Sequence, residues 1–77
     1  MSDLPPMTNL KSSNLHSVGH DGTALYVRFR GKDGTPGSLY RYPTAGMEHH
    51  AGMIGAGRAM DYFTDKIRHF HAGEKIG

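Results

Sequence analysis

The stretch GKDGTPG, residues 31–37, holds three glycines and a proline and can extend neither of the segments it separates. It divides ALYVRFR (24–30) from SLYRY (38–42) and so turns the chain back on itself. In the first flank Leu25, Val27 and Phe29 fall on one face and Tyr26, Arg28 and Arg30 on the other, the period of two of a half-buried strand. LHSVGH (15–20) is a shorter segment of the same kind, anchored by Val18. Asp21-Gly22 joins it to the next strand and is a strong hairpin signal, because both residues tolerate positive φ. Three antiparallel strands in a meander follow, the last ended by Pro43.

A two-residue turn at Asp21-Gly22 predicts His20 opposite Thr23 and Val18 opposite Leu25, partners that agree in facing. In the second hairpin the apolar faces match when Phe29 lies near Tyr40 and Val27 near Tyr42. That register sets Arg28 across from Arg41 on the other face. Like charges so placed are destabilising unless they splay into solvent or an anion relieves them.

The second half reads as helical. Thr44 is the expected N-cap, with Glu48 favouring the N-terminal dipole. Met47, Ala51 and Ile54, joined by His50, form the stripe expected to face the sheet, and Gly55 and Gly57 end the segment. A second helix from about Arg58 to Phe70 shows Met60, Phe63, Ile67 and Phe70 on one side. The expected fold is α+β, a three-stranded antiparallel meander with one broken helix or two short helices packed on one face. Residues 1–10 read as a flexible leader, 11–70 as a single domain and 71–77 as a flexible tail. The other sheet face, with Tyr26, Arg28, Arg30 and Arg41, is expected to be bare within the monomer.

Size bounds the rest. A chain of 77 residues buries only ~60% of the surface its unfolded form exposes. Cysteine is absent, so no disulfide or Cys-based zinc site can staple it, and self-association into a homo-oligomer is the remaining way to bury more apolar area. No apolar run approaches the ~18 residues of a membrane span, and MSDLPPMTNL lacks the pattern of a secretory signal. The expected location is therefore cytoplasmic. A net charge of +2 is a mild bias toward anions, and six histidines would strengthen it in mild acid.

In order, SSNLHSVGHD (12–21), LYVRF (25–29), LYRY (39–42) and YFTDKIR (62–68) resemble the KTSC domain. This small module occurs at the C-terminus of some lysyl-tRNA synthetases and as free-standing bacterial and phage proteins. The resemblance covers about residues 11–70, and its central mark is Tyr40-Arg41-Tyr42. It implies the α+β fold, and the synthetase context implies RNA binding. Two positions depart from the family pattern: His20 stands where an aromatic is usual, and AGMEHHAGMIGAG is poorer in acidic and leucine residues than the family's first helix.

Guanidinium groups grip phosphates and stack on bases, and a neighbouring aromatic offers a π platform. Tyr26, Arg28, Arg30 and Arg41 are therefore candidate ligand-binding residues, with Arg68 from the second helix extending the patch. The alternative for that face is an ordinary solvated surface or a subunit contact. Tyr40 and Tyr42 are candidates too: core tyrosines in this register, base-stacking residues if exposed. The histidines offer no metal site, since His49 and His50 project about 100° apart on a helix and other ligands are distant. GMIGAGRAM (52–60) has no preceding parallel strand and reads as helix punctuation rather than a phosphate loop. Ser17, His20 and Asp21 are spread over both faces of a hairpin and form no triad. The expected function is a non-enzymatic binding module, without cofactor, for single-stranded RNA or DNA or a nucleotide. The alternative is a protein-interaction or self-assembling module using the methionine-rich helix, Met47, Met53 and Met60, or a phage protein that sequesters a small nucleotide signal.

Overall fold

The computed structural model describes residues 5–77. Five strands, β1 (Thr8–Asn9), β2 (Leu15–His20), β3 (Leu25–Arg30), β4 (Pro36–Tyr42) and β5 (Glu74–Lys75), form one sheet in the order β1-β2-β3-β4-β5. Every neighbouring pair is antiparallel. Between β4 and β5 the chain forms α1 (Met47–Gly55) and α2 (Ala59–Tyr62), and α2 runs directly into a π-helical segment, Phe63–Arg68. The fold is α+β as expected, but the sheet has five strands instead of three. The two additional strands come from segments read as leader and tail: β1 pairs Thr8 with Val18, and β5 pairs Lys75 with Tyr40. Both are too short to carry any alternation of their own. Residues 1–4 of the expected leader lie outside the described residues.

Both hairpins keep the expected facing but shift by two residues. His20 pairs with Leu25 and Val18 with Val27, so residues 21–24 form the first loop. The Asp21 carboxylate accepts from the Thr23 and Ala24 N–H groups at 2.8 and 2.7 Å, which draws both residues into the turn. Gly22 there has φ +93°. These backbone donors, Ala24 first, hold the Asp21 carboxyl below its ordinary 3.8. In the second hairpin Val27 pairs with Tyr40 and Leu25 with Tyr42. Arg28 thus faces Leu39 and Tyr26 faces Arg41, so the expected Arg28–Arg41 opposition does not occur. A bulge lies between Arg28 and Arg30, opposite Gly37. A Cβ at Gly37 would lie 3.0 Å from the Phe29 carbonyl oxygen and 3.1 Å from the Gly31 nitrogen. A side chain there would push the neighbouring backbone back by a few tenths of an ångström, which glycine avoids.

The main core lies between the sheet and the helices, with Leu15, Val18, Leu25 and Val27 meeting Met53, Phe63 and Ile67. Gly55 ends α1, so the helical half is two elements. Gly46, not Thr44, is the N-cap of α1, and it makes no side-chain capping bond. Thr44 Oγ1 instead bonds His71 Nδ1 at 2.7 Å. The expected inward stripe is also corrected: Met47, Ala51 and Ile54 are exposed, while Met53 is fully buried. Gly52 explains the turn of the helix, because the Tyr62 ring occupies the space a Cβ would need there. The helices approach through that missing side chain. Phe70, expected inside, is exposed as well.

The opposite sheet face is not bare. Ala24, Tyr26 and Leu39 form a second buried cluster, capped by Met7. Gly19 on the same face lies under Pro5, Pro6 and Met7, with no room for a Cβ. Among the described residues no helix is long and apolar enough to cross a membrane.

Candidate functional site

The residues named from the sequence divide between two faces of the sheet. On the face away from the helices, Tyr26 is buried and its hydroxyl donates to Asp21 Oδ2 at 3.1 Å. Arg28 is half-buried and donates through Nη1 to the Gly37 carbonyl at 2.8 Å. Arg41 lies 3.9 Å from the Glu74 carboxylate of β5. Three of the four residues expected to form an open arginine platform are therefore engaged by their own chain. Arg30, at the strand end, is engaged more fully. Its Nε, Nη1 and Nη2 donate to the carbonyls of Ser12, Gly34 and Leu10 at 2.6, 2.9 and 2.9 Å. This clamp ties the segment before β2 and the 31–35 loop to the end of β3.

Tyr40, Tyr42, Arg30 and Arg68 come together on the helix side, where sheet and π-helical segment diverge. They line an open cleft of about 530 Å³, with Phe29, Met60 and Phe63. Its apolar wall is a chain of ring contacts. Tyr40 meets Phe29 at 5.4 Å between centroids, Phe29 meets Phe63 at 5.5 Å, and Phe63 meets Tyr42 at 5.6 Å. The last two are edge-to-face, the arrangement favoured by the ring quadrupoles. Tyr40 is half-buried and so offers part of its ring to solvent, while Tyr42 is deeper.

Arg68 closes the π-helical segment and is exposed. Among the described residues no carboxylate lies within ion-pairing distance of it. Its charge is felt inside the cleft. Burial pushes the Tyr42 phenol up, Tyr40 adds to the rise, and Arg68 draws it down. The site therefore offers a stacking wall, phenol hydroxyls and an uncommitted guanidinium at the rim.

Phe29 and Phe63 were legible in the sequence only as core-facing residues. Their role as wall appears when strand and helix are brought together. His20, His49 and His71 are held in structural contacts. His20 Nδ1 accepts from the Gly22 N–H at 2.9 Å, which leaves Nε2–H to donate to the Ala45 carbonyl at 2.8 Å. His49 stands edge-on to His71 at 5.2 Å and bonds the Tyr62 hydroxyl at 3.2 Å. Among the described residues no three His, Asp or Glu side chains converge to hold a metal ion.

No protein-family model matches the chain, and no curated protein matches it either. Among solved structures, the crystal structure of a KTSC domain protein from Yersinia pestis is similar, with a TM-score of 0.77 and 24% sequence identity. The match covers 94% of this chain and 97% of that one. At that identity the likeness is one of fold, and it runs through nearly all of both chains. The chain has the fold of a KTSC domain protein.

Proposed function

We propose that the protein is a non-enzymatic binding module for a nucleoside phosphate, either free or at an unpaired position of single-stranded RNA or DNA. The observation that carries this reading is the pairing of an aromatic wall with a free guanidinium in one cleft. A base stacks beside Tyr40 against Phe29, which the buried Phe63 ring supports from behind, and Arg68 meets the phosphate. A volume of about 530 Å³ falls within the range of small-ligand sites, which suits one nucleotide.

The cleft and the opposite sheet face make different salt predictions. Affinity for a single strand falls with a logarithmic slope of about −0.7 per phosphate contacted. One or two cations at the cleft give a loss of about threefold to sevenfold between 50 and 200 mM salt. Three arginines on the sheet face would give about twentyfold. Fluorescence anisotropy with a labelled oligonucleotide of about eight nucleotides measures this directly. Tyr40→Ala is expected to weaken binding about tenfold, the effect of losing ~1–3 kcal/mol of stacking. Arg68→Ala is expected to flatten the salt slope. Affinity that survives both substitutions would reject the cleft.

A further inference from the structure

β5 carries a cation, Lys75, on the strand next to Tyr40. Cross-strand partners in an antiparallel pair stand on the same face of the sheet. Lys75 pairs with Tyr40, and Tyr40 faces the cleft, so Lys75 stands on the cleft side. The adjacent pair confirms the alternation: Glu74 pairs with Arg41 and reaches its guanidinium on the opposite face. Lys75 itself is exposed and has no ion-pair partner among the described residues.

The strand is attached through backbone more than through side chains. Leu39 donates to the Gly77 carbonyl at 3.0 Å, and the Ile76 and Gly77 N–H groups donate to the Leu39 carbonyl at 2.8 and 3.2 Å. Just before β5, the chain passes so close to the Tyr42 ring that a Cβ on Gly73 would lie 2.5 Å from it. Residues 73–77 thus run along the outer edge of β4 and across two aromatic residues of the cleft wall. All of Glu74, Lys75, Ile76 and Gly77 are exposed. A segment held by few bonds and no buried side chain opens at low free-energy cost.

We infer that β5 is a strap over the nucleotide cleft: docked on β4, it sets Lys75 beside Tyr40 as a second phosphate ligand opposite Arg68. The inference rests on the cleft being the nucleotide site. Its consequence is reciprocity. If the docked strap raises ligand affinity, bound ligand must hold the strap down by the same factor. The second cation also explains how a site with one free guanidinium could grip a phosphate from two sides.

The experiment titrates the full chain with the labelled oligonucleotide and repeats the titration on Lys75→Ala, Lys75→Arg and Glu74→Ala. Lys75→Ala is expected to weaken binding about fivefold at 50 mM salt, the upper end for an exposed ion pair. Its salt slope should drop from about −1.4 to about −0.7, the loss of one phosphate contact. Lys75→Arg should restore both, and Glu74→Ala, which removes the ion pair to Arg41 on the other face of the strap, should leave the salt slope at about −1.4. Hydrogen exchange of the Leu39, Ile76 and Gly77 amides should slow about fivefold on saturation with the oligonucleotide. Wild-type binding that loses affinity in Tyr40→Ala but is untouched by Lys75→Ala would overturn the strap and leave the cleft standing. Absence of wild-type binding to the oligonucleotide and to a nucleoside monophosphate would overturn both.

Discussion

Burial raises the Tyr42 phenol above its ordinary value of 10.0 and Tyr40 adds to the rise, while the Arg68 guanidinium draws it back. The sign follows from which form is favoured. A folded value above the unfolded one means that the fold holds the proton more tightly. Tyr42 therefore contributes stability that is present below pH 10 and is lost as pH rises through the folded value. Arg68→Ala removes the downward pull, so the Tyr42 ring should titrate at a higher pH than in the wild type. Ring-carbon NMR shifts of labelled tyrosine resolve it from the other phenols. An unchanged or lowered midpoint would mean that Arg68 does not reach the cleft. Arg30 makes the contrasting case. It is a strand arginine like Arg28, but its donors are spent on three carbonyls, two from the segment before β2 and one from the 31–35 loop. Composition identifies such a residue as a cation and leaves its partners open.

α1 presents its more apolar side outward. Met47 and Ile54 are 59% and 44% exposed, whereas Met53 is fully buried. Met53→Ala should thus destabilise the fold by about 2–5 kcal/mol, the range for truncating a buried large aliphatic side chain. Ile54→Ala should stay within about 0.5 kcal/mol. Urea denaturation compares them, and equal losses would contradict this seating of α1. Periodicity alone points the other way, since Met47, Ala51 and Ile54 form the obvious stripe. The deciding feature is Gly52, whose missing side chain admits Tyr62 and turns the helix about its axis. The strands repeat the lesson. Alternation in 25–30 and 38–42 assigns the residues before the bulge to their faces, because a shift of two preserves facing, whereas Arg30, beyond it, lines the cleft on the helix side. The register of the first hairpin depends on the Asp21 carboxylate drawing Thr23 and Ala24 into the loop, and the second hairpin carries the bulge opposite Gly37. Neither is visible in hydrophobic periodicity.

Across the whole molecule, short edge strands flank a three-stranded centre, and each sheet face has its own cover. Helices and π-helical segment lie on one side; Met7 and the prolines before β1 lie on part of the other. Edge strands of only two residues limit strand-to-strand association between molecules. The cover on each face also decides where a ligand can sit. Tyr26, Arg28 and Arg41 share a face in the sequence pattern and in the fold, but their polar groups are engaged there. The cleft is assembled across the layers: Phe29 and Tyr40 come from neighbouring strands, Phe63 and Arg68 from a helix more than twenty residues further along. No single strand or helix carries its pattern, so reading elements one at a time finds its members without finding the site. Mapping backbone amide NMR shifts during titration with the oligonucleotide tests the central claim most directly. Saturable changes should concentrate at Phe29, Ser38, Tyr40, Phe63 and Arg68. Changes centred on Tyr26, Arg28 and Arg41, with the cleft silent, would contradict the account.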